Sequence, residues 1–254
     1  MDYGLKVVDS TNIETEHICC ALSEKKGDKT VSLKKEWLKN RFAEGLVFLK
    51  LDVRGKVFIE YLPAEAAFAP IVAPNFMYIN CFWVSGKYKG VGHANELLSA
   101  CIDDAKSKGK DGLVILSSKK KMPFLSDPKY LKYKGFKVCD EAYGQYELLC
   151  LPFKDKVSEP AFRDVVKKSM TLVEDVVLYH THQCPHAEKY ARLIEEIAIK
   201  RNLSFKRIKL ETAEEAQASP APFTTYSLFI KGQFITNEIL TEKKFLQLIE
   251  DFSL

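Results

Sequence analysis

The chain has 254 residues, a hydrophobic content of 46% and a formal net charge of +4, which are ordinary values for a globular protein of about two domains. The mild positive charge suits an anionic cofactor and does not indicate nucleic acid as a partner. No apolar run reaches the ~18 residues of a membrane span, and we expect neither a membrane partner nor a signal peptide. The seven cysteines form no Cys-x-x-Cys pair, so we expect a reduced, cytoplasmic protein without a zinc ribbon.

Residues 1–75 alternate short apolar segments with turn signals. Residues 53–55 predict a turn between two strands, because Gly55 can take a positive φ. Three prolines between residues 63 and 75 predict an irregular loop. The predicted elements are a strand at 5–9, helices at 15–22 and 31–42, and strands at 45–52 and 56–62.

Residues 77–84 are almost all apolar, with β-branched and aromatic side chains, and predict a buried strand. A helix follows from residue 95, because Leu97, Leu98 and Cys101 recur on one face, and Gly109 ends it. The loop between them contains three glycines, two lysines and a histidine. Glycine lets a ligand approach the backbone, and the amides of a first helical turn point at an anion, so this loop predicts a pyrophosphate site.

Three known phosphate-binding loops can be compared with this one. A Walker loop does not fit, because Gly-x4-Gly-Lys-Ser/Thr is absent. A dinucleotide loop fits poorly, because Asn95 takes the place of the third glycine and the next strand, 112–117, ends in serine instead of an acid. Residues 89–94, Lys-Gly-Val-Gly-His-Ala, resemble the acyl-CoA loop of the GNAT acetyltransferases, (Gln/Arg)-x-x-Gly-x-(Gly/Ala), with Lys89 in the first position.

The remaining elements of the first half follow the order of that family: strands at 112–117, 136–142 and 145–152, with Lys-Gly-Phe at 134–136. The three lysines at 119–121 lie either in a solvent-exposed loop or against the 3′-phosphate of CoA. The first domain is therefore expected to span residues 1–152.

Residues 153–172 predict a linker and a lead-in helix, and residues 173–254 predict a second domain. Its β-α-β-α-β-β-α pattern is similar to thioredoxin and glutaredoxin. The predicted elements are a strand at 173–180, a helix at 187–201, a strand at 203–210, a short helix at 213–217, strands within 219–230 and 233–240, and a terminal helix to residue 252.

Cys184 begins the sequence Cys-Pro-His-Ala, where glutaredoxins carry Cys-Pro-x-Cys, and Ala187 replaces the second cysteine. A cysteine at a helix N-terminus has a lowered pKa, but without a resolving cysteine it can form only mixed disulfides, for example with glutathione. Three readings stay open: a monothiol glutaredoxin-like thiol or redox protein, a scaffold that shapes the acceptor cleft, and metal capture by His180, His182, Cys184 and His186.

The two halves together resemble the YoaP-type acetyltransferases, in which a GNAT domain precedes a YoaP-like segment. The segments that carry this resemblance are residues 60–65, 81–84, 89–94, 222–229 and 234–240. It implies an α/β (α+β) protein with a GNAT fold and a thioredoxin-like second domain, acetyl-CoA as cofactor, and a small-molecule or peptide amine as acceptor. The implied cofactor-binding residues are Phe82, Trp83, Val84, Lys89, Gly90, Val91, Gly92, His93, Ala94 and Asn95.

The resemblance also implies catalytic groups. A general base must deprotonate the amine. Glu60 is the nearest candidate by strand position and Glu65 the second; a solvated strand carboxylate is an equally good reading of Glu60. Many family members place a tyrosine acid four residues before the Gly of Gly-Phe, but here that position is Leu131. Tyr130 and Tyr133 flank it, as an acid or as packing residues. The catalytic candidates are Glu60, Tyr130 and Cys184.

Overall fold

The computed structural model describes residues 3–24, 26, 28–167 and 174–254. Its contacts divide the chain into two compact units, Met1–Ala67 with Ile71–Phe162 and Phe68–Pro70 with Arg163–Leu254. The division falls at residue 162, ten residues after the predicted end of the first domain at 152. Residues 168–173, where the predicted lead-in helix ends and the next predicted strand starts, lie outside the described residues. No described helix has the length and apolar character that crossing a membrane requires.

The first unit is built on a seven-stranded sheet. Its strands are β1 (Leu5–Val8), β2 (Val47–Leu51), β3 (Val57–Pro63), β5 (Phe76–Val84), β6 (Gly112–Ser118), β7 (Lys137–Ala142) and β8 (Tyr146–Pro152), and a separate pair joins β4 (Ile71–Val72) to β9 (Ala161–Phe162). The strand order in the sheet is β1-β2-β3-β5-β6-β8-β7. The pair β5 and β6 is parallel, whereas the other neighbours run antiparallel. Its helices are α1 (Thr30–Phe42), α2 (His93–Ser107) and α3 (Pro128–Tyr133).

The two faces of this sheet carry different side chains. Ile59 and Tyr61 of β3 belong to the apolar core that includes the buried face of α2. Glu60 lies between them and therefore points to the opposite face, where Lys34 of α1 contacts it. Helices α1 and α2 thus cover opposite faces, and polar groups are buried on the α1 side.

The helix predicted at residues 15–22 is wrong, because these residues form turns and bends. His17 Nε2 lies 2.8 Å from the Val53 carbonyl, and Cys19 takes a positive φ of 58°, which a helix cannot accommodate. Ile18 and Cys19 are both fully buried. This segment therefore delivers its apolar side chains to the core from an irregular loop.

The second unit contains a four-stranded sheet and three helices. Its elements are β10 (Val176–His180), α4 (Ala187–Lys200), β11 (Phe205–Lys209), α5 (Ala213–Gln217), β12 (Tyr226–Ile230), β13 (Gln233–Thr236) and α6 (Glu242–Asp251). The strand order is β11-β10-β12-β13. The pair β10 and β11 is parallel, and the other two pairs are antiparallel. Apolar residues of the two long helices and of the central strands form the core of this unit.

Candidate active site

Strands β5 and β6 separate halfway along their length. They pair from Phe76 and Gly112 as far as Ile79 and Ile115. Beyond this point β5 pairs with β3 as far as Val84, while β6 continues with β8 to Ser118. A wedge-shaped opening results between the two strands, and we call it the β5–β6 cleft.

The backbone of β5 presents polar groups to this cleft. Ser85 N–H donates to the Lys56 carbonyl, next to β3, at 3.0 Å. The direction of backbone hydrogen bonding alternates along a strand, so the N–H groups of Cys81 and Trp83 also point toward β3. The N–H groups of Phe82 and Val84 point away from β3. The Ser126 hydroxyl accordingly donates to the Phe82 carbonyl at 3.3 Å. The N–H groups of Phe82 and Val84 therefore face the β5–β6 cleft.

The cleft opens into a cavity of about 480 Å³. The predicted cofactor-binding residues line it with one exception, Val91, whose side chain is 63% exposed. Six further residues line the cavity: Tyr88, Lys121, Leu125, Ser126, Asp127 and Tyr130.

The glycine loop ends in a helix whose first amides are open. Gly90 and Gly92 have φ values of +77° and +98°, which side chains rarely adopt, and a Cβ at either would have no neighbour within 4 Å. Gly92 caps α2, and its carbonyl accepts from Asn95 N–H at 2.9 Å. The N–H groups of residues 90–94 have no acceptor within the part of the chain that the structure describes. These amides form an anion-binding arrangement at the edge of the cavity.

Two lysines add positive charge to the cavity, Lys89 from the loop and Lys121 from the predicted lysine triplet. Lys121 Nζ lies 3.9 Å from the Asp127 carboxylate. Lys119 instead pairs with Glu141 at 2.6 Å. Of the three consecutive lysines, Lys121 is thus the one placed to contact a bound anion.

Tyr130 faces the cavity, whereas Leu131 is fully buried in the core. The Tyr130 hydroxyl donates to Asn95 Oδ1 at 3.2 Å, and its ring meets the Phe82 ring edge-on with 5.8 Å between centroids. Burial raises the pKa of Tyr130 to about 12. The sequence contains a signal for this orientation, the Asp-Pro pair at 127–128, which is typical of a helix start. In the structure the Asp127 side chain accepts from Lys129 N–H, and α3 begins at Pro128.

Glu60 is fully buried on the α1 side of the sheet and does not line the cavity. Its Oε2 lies 2.7 Å from Lys34 Nζ, and its Oε1 accepts from the Asn80 side chain. Glu65, the second candidate base, accepts from Asn75 N–H at 2.6 Å, next to the first residue of β5 and at the other end of that strand from the cleft.

Sequence reasoning missed Lys34 and Asn80, which are the two partners of Glu60. The pattern of α1 held a signal for Lys34, because a lysine stands among Val31, Trp37 and Leu38 on the buried face of the helix. A buried lysine is rare unless it is paired. Asn80 carries no such signal in the sequence.

In the second unit, Cys184 is half-buried and packs against the apolar core. His180 is fully buried, and burial lowers its pKa to about 3. The rings of His180 and His182 face the Glu188 carboxylate at 3.7 Å and 3.3 Å. No group of three or more His, Cys, Asp or Glu among the described residues is placed to hold a metal ion, so the structure does not support metal capture by the Cys184 segment.

Comparison with known proteins finds a relative that is similar over almost the whole chain. A Bacillus subtilis (strain 168) protein named "Uncharacterized N-acetyltransferase YoaP" is 47% identical over 242 residues, which cover 95% of this chain and 96% of the relative. Residues 204–247 match the family model described as YoaP-like. The chain therefore belongs to the YoaP family of N-acetyltransferases.

Three solved acetyltransferase structures are similar to part of the chain. The PaiA N-acetyltransferase of Thermoplasma acidophilum in complex with coenzyme A is 17% identical, covers 60% of this chain and 100% of its own, and has a TM-score of 0.43. A GNAT family acetyltransferase of Brucella melitensis in complex with acetyl-CoA is 15% identical, with coverages of 62% and 94% and a TM-score of 0.38. YhbS of Escherichia coli in complex with CoA is 14% identical, with coverages of 64% and 90% and a TM-score of 0.40.

Proposed function

We propose that the chain transfers the acetyl group of acetyl-CoA directly to an amine and that the β5–β6 cleft is the site of transfer. Two sets of backbone amides carry this proposal. The open N–H groups of residues 90–94 lie at the mouth of the cleft, and the N–H groups of Phe82 and Val84 face into it. The first set suits two phosphates, and the second suits an extended amide arm. Family membership supports the same activity.

In this proposal the coenzyme binds along the loop and the strand. The open amides of residues 90–94 hold the pyrophosphate, and Lys89 adds a point charge where the family's arginine or glutamine would give planar hydrogen bonds. Lys121 is placed to neutralise a further phosphate. The open space in front of Gly90 and Gly92 supports this assignment, because a side chain at either position would fill it.

Transfer would occur beside Phe82. Its N–H donates to the thioester carbonyl and stabilises the oxyanion that forms when the amine attacks. The Tyr130 hydroxyl, which is protonated throughout the neutral range because burial raises its pKa to about 12, donates a hydrogen bond to the leaving thiolate and stabilises it. A thiol pKa of about 8.5 makes that thiolate a fair leaving group even without help, so this hydrogen bond makes a modest contribution.

The acceptor amine must lose a proton before it attacks, because a lysine-like amine has a pKa of about 10.4. The sequence predicts Glu60 as the base, and that role remains a prediction. Both of its oxygens are engaged by Lys34 and Asn80, and Glu60 does not line the cavity.

For the second unit we propose a thioredoxin-like fold that serves as a scaffold. The strand pairing supports this fold. Strand β10 pairs in parallel with β11 and antiparallel with β12, and β12 pairs antiparallel with β13. Cys184 packs against the core of its own unit, and His182 contacts Glu188. These contacts favour a structural role for the segment over a reactive thiol.

The experiment that tests the activity combines binding with turnover. Titration calorimetry measures acetyl-CoA binding to the full chain, and a panel of amines is then incubated with acetyl-CoA while released thiol is quantified. We expect binding, and thiol release that matches the amount of acetylated amine found by mass spectrometry. A chain that neither binds acetyl-CoA nor releases thiol with any amine would contradict the proposal.

A further inference from the structure

A lysine and a glutamate form a buried ion pair beneath helix α1. Lys34 Nζ lies 2.7 Å from Glu60 Oε2, and the two side chains are 1% and 0% exposed. Lys34 Nζ also lies 4.2 Å from the centre of the Trp37 ring. The desolvation cost of such a pair can exceed its Coulombic gain, and replacement by apolar residues is often neutral or stabilising. Stability alone therefore does not account for these two charges.

The pair reaches strand β5 through a β-bulge. Glu60 pairs with Cys81 and Tyr61 pairs with Ile79, so Asn80 is an extra residue on β5. The Asn80 side-chain amide donates to Glu60 Oε1. Asn80 and Cys81 therefore both oppose Glu60, and bulges of this kind re-aim side chains and backbone next to active sites.

The bulge determines which amides face the β5–β6 cleft. Ile79 is the last β5 residue that pairs with β6, so the bulge lies at the point where the strands separate. An extra residue shifts the alternation along a strand by one position. Without it, Cys81 and Trp83 would turn toward the cleft; with it, Phe82 and Val84 do.

We infer that Lys34, Glu60 and Asn80 form a positioning array for acetyl transfer: the ion pair fixes the Asn80 bulge, and the bulge aims the Phe82 N–H at the thioester carbonyl. Glu60 is then a positioning residue and not the general base. The inference rests on the proposed function of the cleft, and it adds two residues, Lys34 and Asn80, to the groups on which transfer depends.

The surroundings of Glu60 agree with this role. The titratable groups that face it are Lys34 from α1, Cys81 from β5 and Cys20 from the segment before α1. The thiols of Cys20 and Cys81 share a hydrogen bond with each other. Both carboxylate oxygens are already acceptors in contacts within the fold, and the carboxylate is absent from the cavity lining.

A spectroscopic experiment tests the array without knowledge of the acceptor. The carbonyl stretch of acetyl-CoA labelled with ¹³C at the thioester carbon is recorded by isotope-edited infrared difference spectroscopy, free and bound to the full chain in the absence of amine. Binding to the wild-type protein is expected to lower the frequency, because a hydrogen bond polarises the carbonyl. Asn80→Ala and the double variant Lys34→Met with Glu60→Gln are expected to lose most of this shift while retaining affinity for CoA within about threefold.

The fold supplies a matched control on the same face of the sheet. Lys50 of β2 is 1% exposed and pairs with Glu16 at 2.6 Å, but β2 does not border the cleft. Lys50→Met therefore removes a buried lysine without touching β5 and should keep the full carbonyl shift. If the double variant does not fold, Asn80→Ala carries the test, because it leaves the ion pair intact.

A pH–rate profile separates positioning from base catalysis once an amine substrate is found. We expect Glu60→Gln to lower kcat by up to about 100-fold, the scale of a small misplacement, while the ascending limb of the profile and KM for acetyl-CoA stay in place. Disappearance of that limb would make Glu60 the base and overturn the inference, as would variants that keep the carbonyl shift of the wild type. Failure of the wild-type protein to bind acetyl-CoA would overturn the proposed function itself. This result is obtained before any variant is compared, so it can be distinguished from failure of the inference.

Discussion

The Tyr130 hydroxyl donates a hydrogen bond to Asn95 Oδ1 at 3.2 Å, and this bond joins helix α3 to the first turn of α2 across the β5–β6 cleft. The same tyrosine ring contacts the Phe82 ring edge-on. One side chain thus connects the glycine loop side of the cleft with the strand that would hold the thioester. In the proposed transfer, this hydroxyl would donate a hydrogen bond to the departing thiolate.

Replacement of Tyr130 by phenylalanine is expected to lower kcat on the order of tenfold, because the leaving thiolate then loses a hydrogen bond. KM for acetyl-CoA should change little. Burial raises the pKa of Tyr130 to about 12, so the phenol does not titrate near neutrality and the pH–rate profile should keep its shape. Tyr133→Phe is the matched control, since that side chain is 82% exposed; equal losses in both variants would contradict the assignment.

The second unit is expected to lose stability in acid. Burial lowers the pKa of His180 to about 3, whereas an unfolded histidine titrates near 6.5. Between these values the unfolded state binds more protons, so the free energy of unfolding falls as the pH drops through this window. Burial alone would raise the pKa of Glu188, but the hydrogen bond from Arg192 and the nearby positive charges hold it at about 2. This lowered pKa also makes the free energy of unfolding fall as the pH drops, at a lower pH than the effect of His180.

Thermal unfolding of the wild type and of His180→Leu at about pH 7 and about pH 4 measures this effect. The variant removes the buried imidazole, so its melting temperature should depend less on pH than that of the wild type. Parallel pH dependence in the two proteins would mean that His180 does not carry the acid sensitivity.

Replacement of Cys184 by serine should leave acetyl transfer unchanged within about twofold, because this residue does not line the cleft. After incubation with oxidised glutathione, intact-mass spectra of the wild type and the variant should show no difference in adducts. A glutathione adduct present in the wild type and absent in Cys184→Ser would restore the thiol reading of the second unit.

Local pattern was enough to predict the strand and loop that build the cleft. The apolar run of β5 and the glycines at 90 and 92 are short-range signals, and helix α2 begins at His93, close to the predicted start at 95, because Gly92 takes the left-handed capping conformation. Tertiary contacts decided what the pattern could not. His17 binds the Val53 carbonyl and holds the segment of the predicted first helix in an irregular form.

The polar array on the α1 face is only partly visible in the sequence. The buried face of α1 indicates that Lys34 is paired, but the pattern of the helix does not identify Glu60 as its partner. The bulge at Asn80 depends on the register of two strands that are distant in sequence. Neither the spacing of apolar residues nor the composition of β5 records that register.

The most direct test compares two glycine variants for acetyl-CoA binding by titration calorimetry. Gly92 and Gly109 both take a positive φ, +98° and +69°, and a Cβ at either would meet nothing within 4 Å, so a glutamate should strain the backbone similarly at the two ends of α2. Gly92→Glu places a side chain and a negative charge where two phosphates would lie, and we predict a loss of affinity on the order of 100-fold or more. Gly109→Glu should bind as the wild type does. Equal binding by Gly92→Glu and the wild type would contradict the assignment of this loop as the coenzyme site.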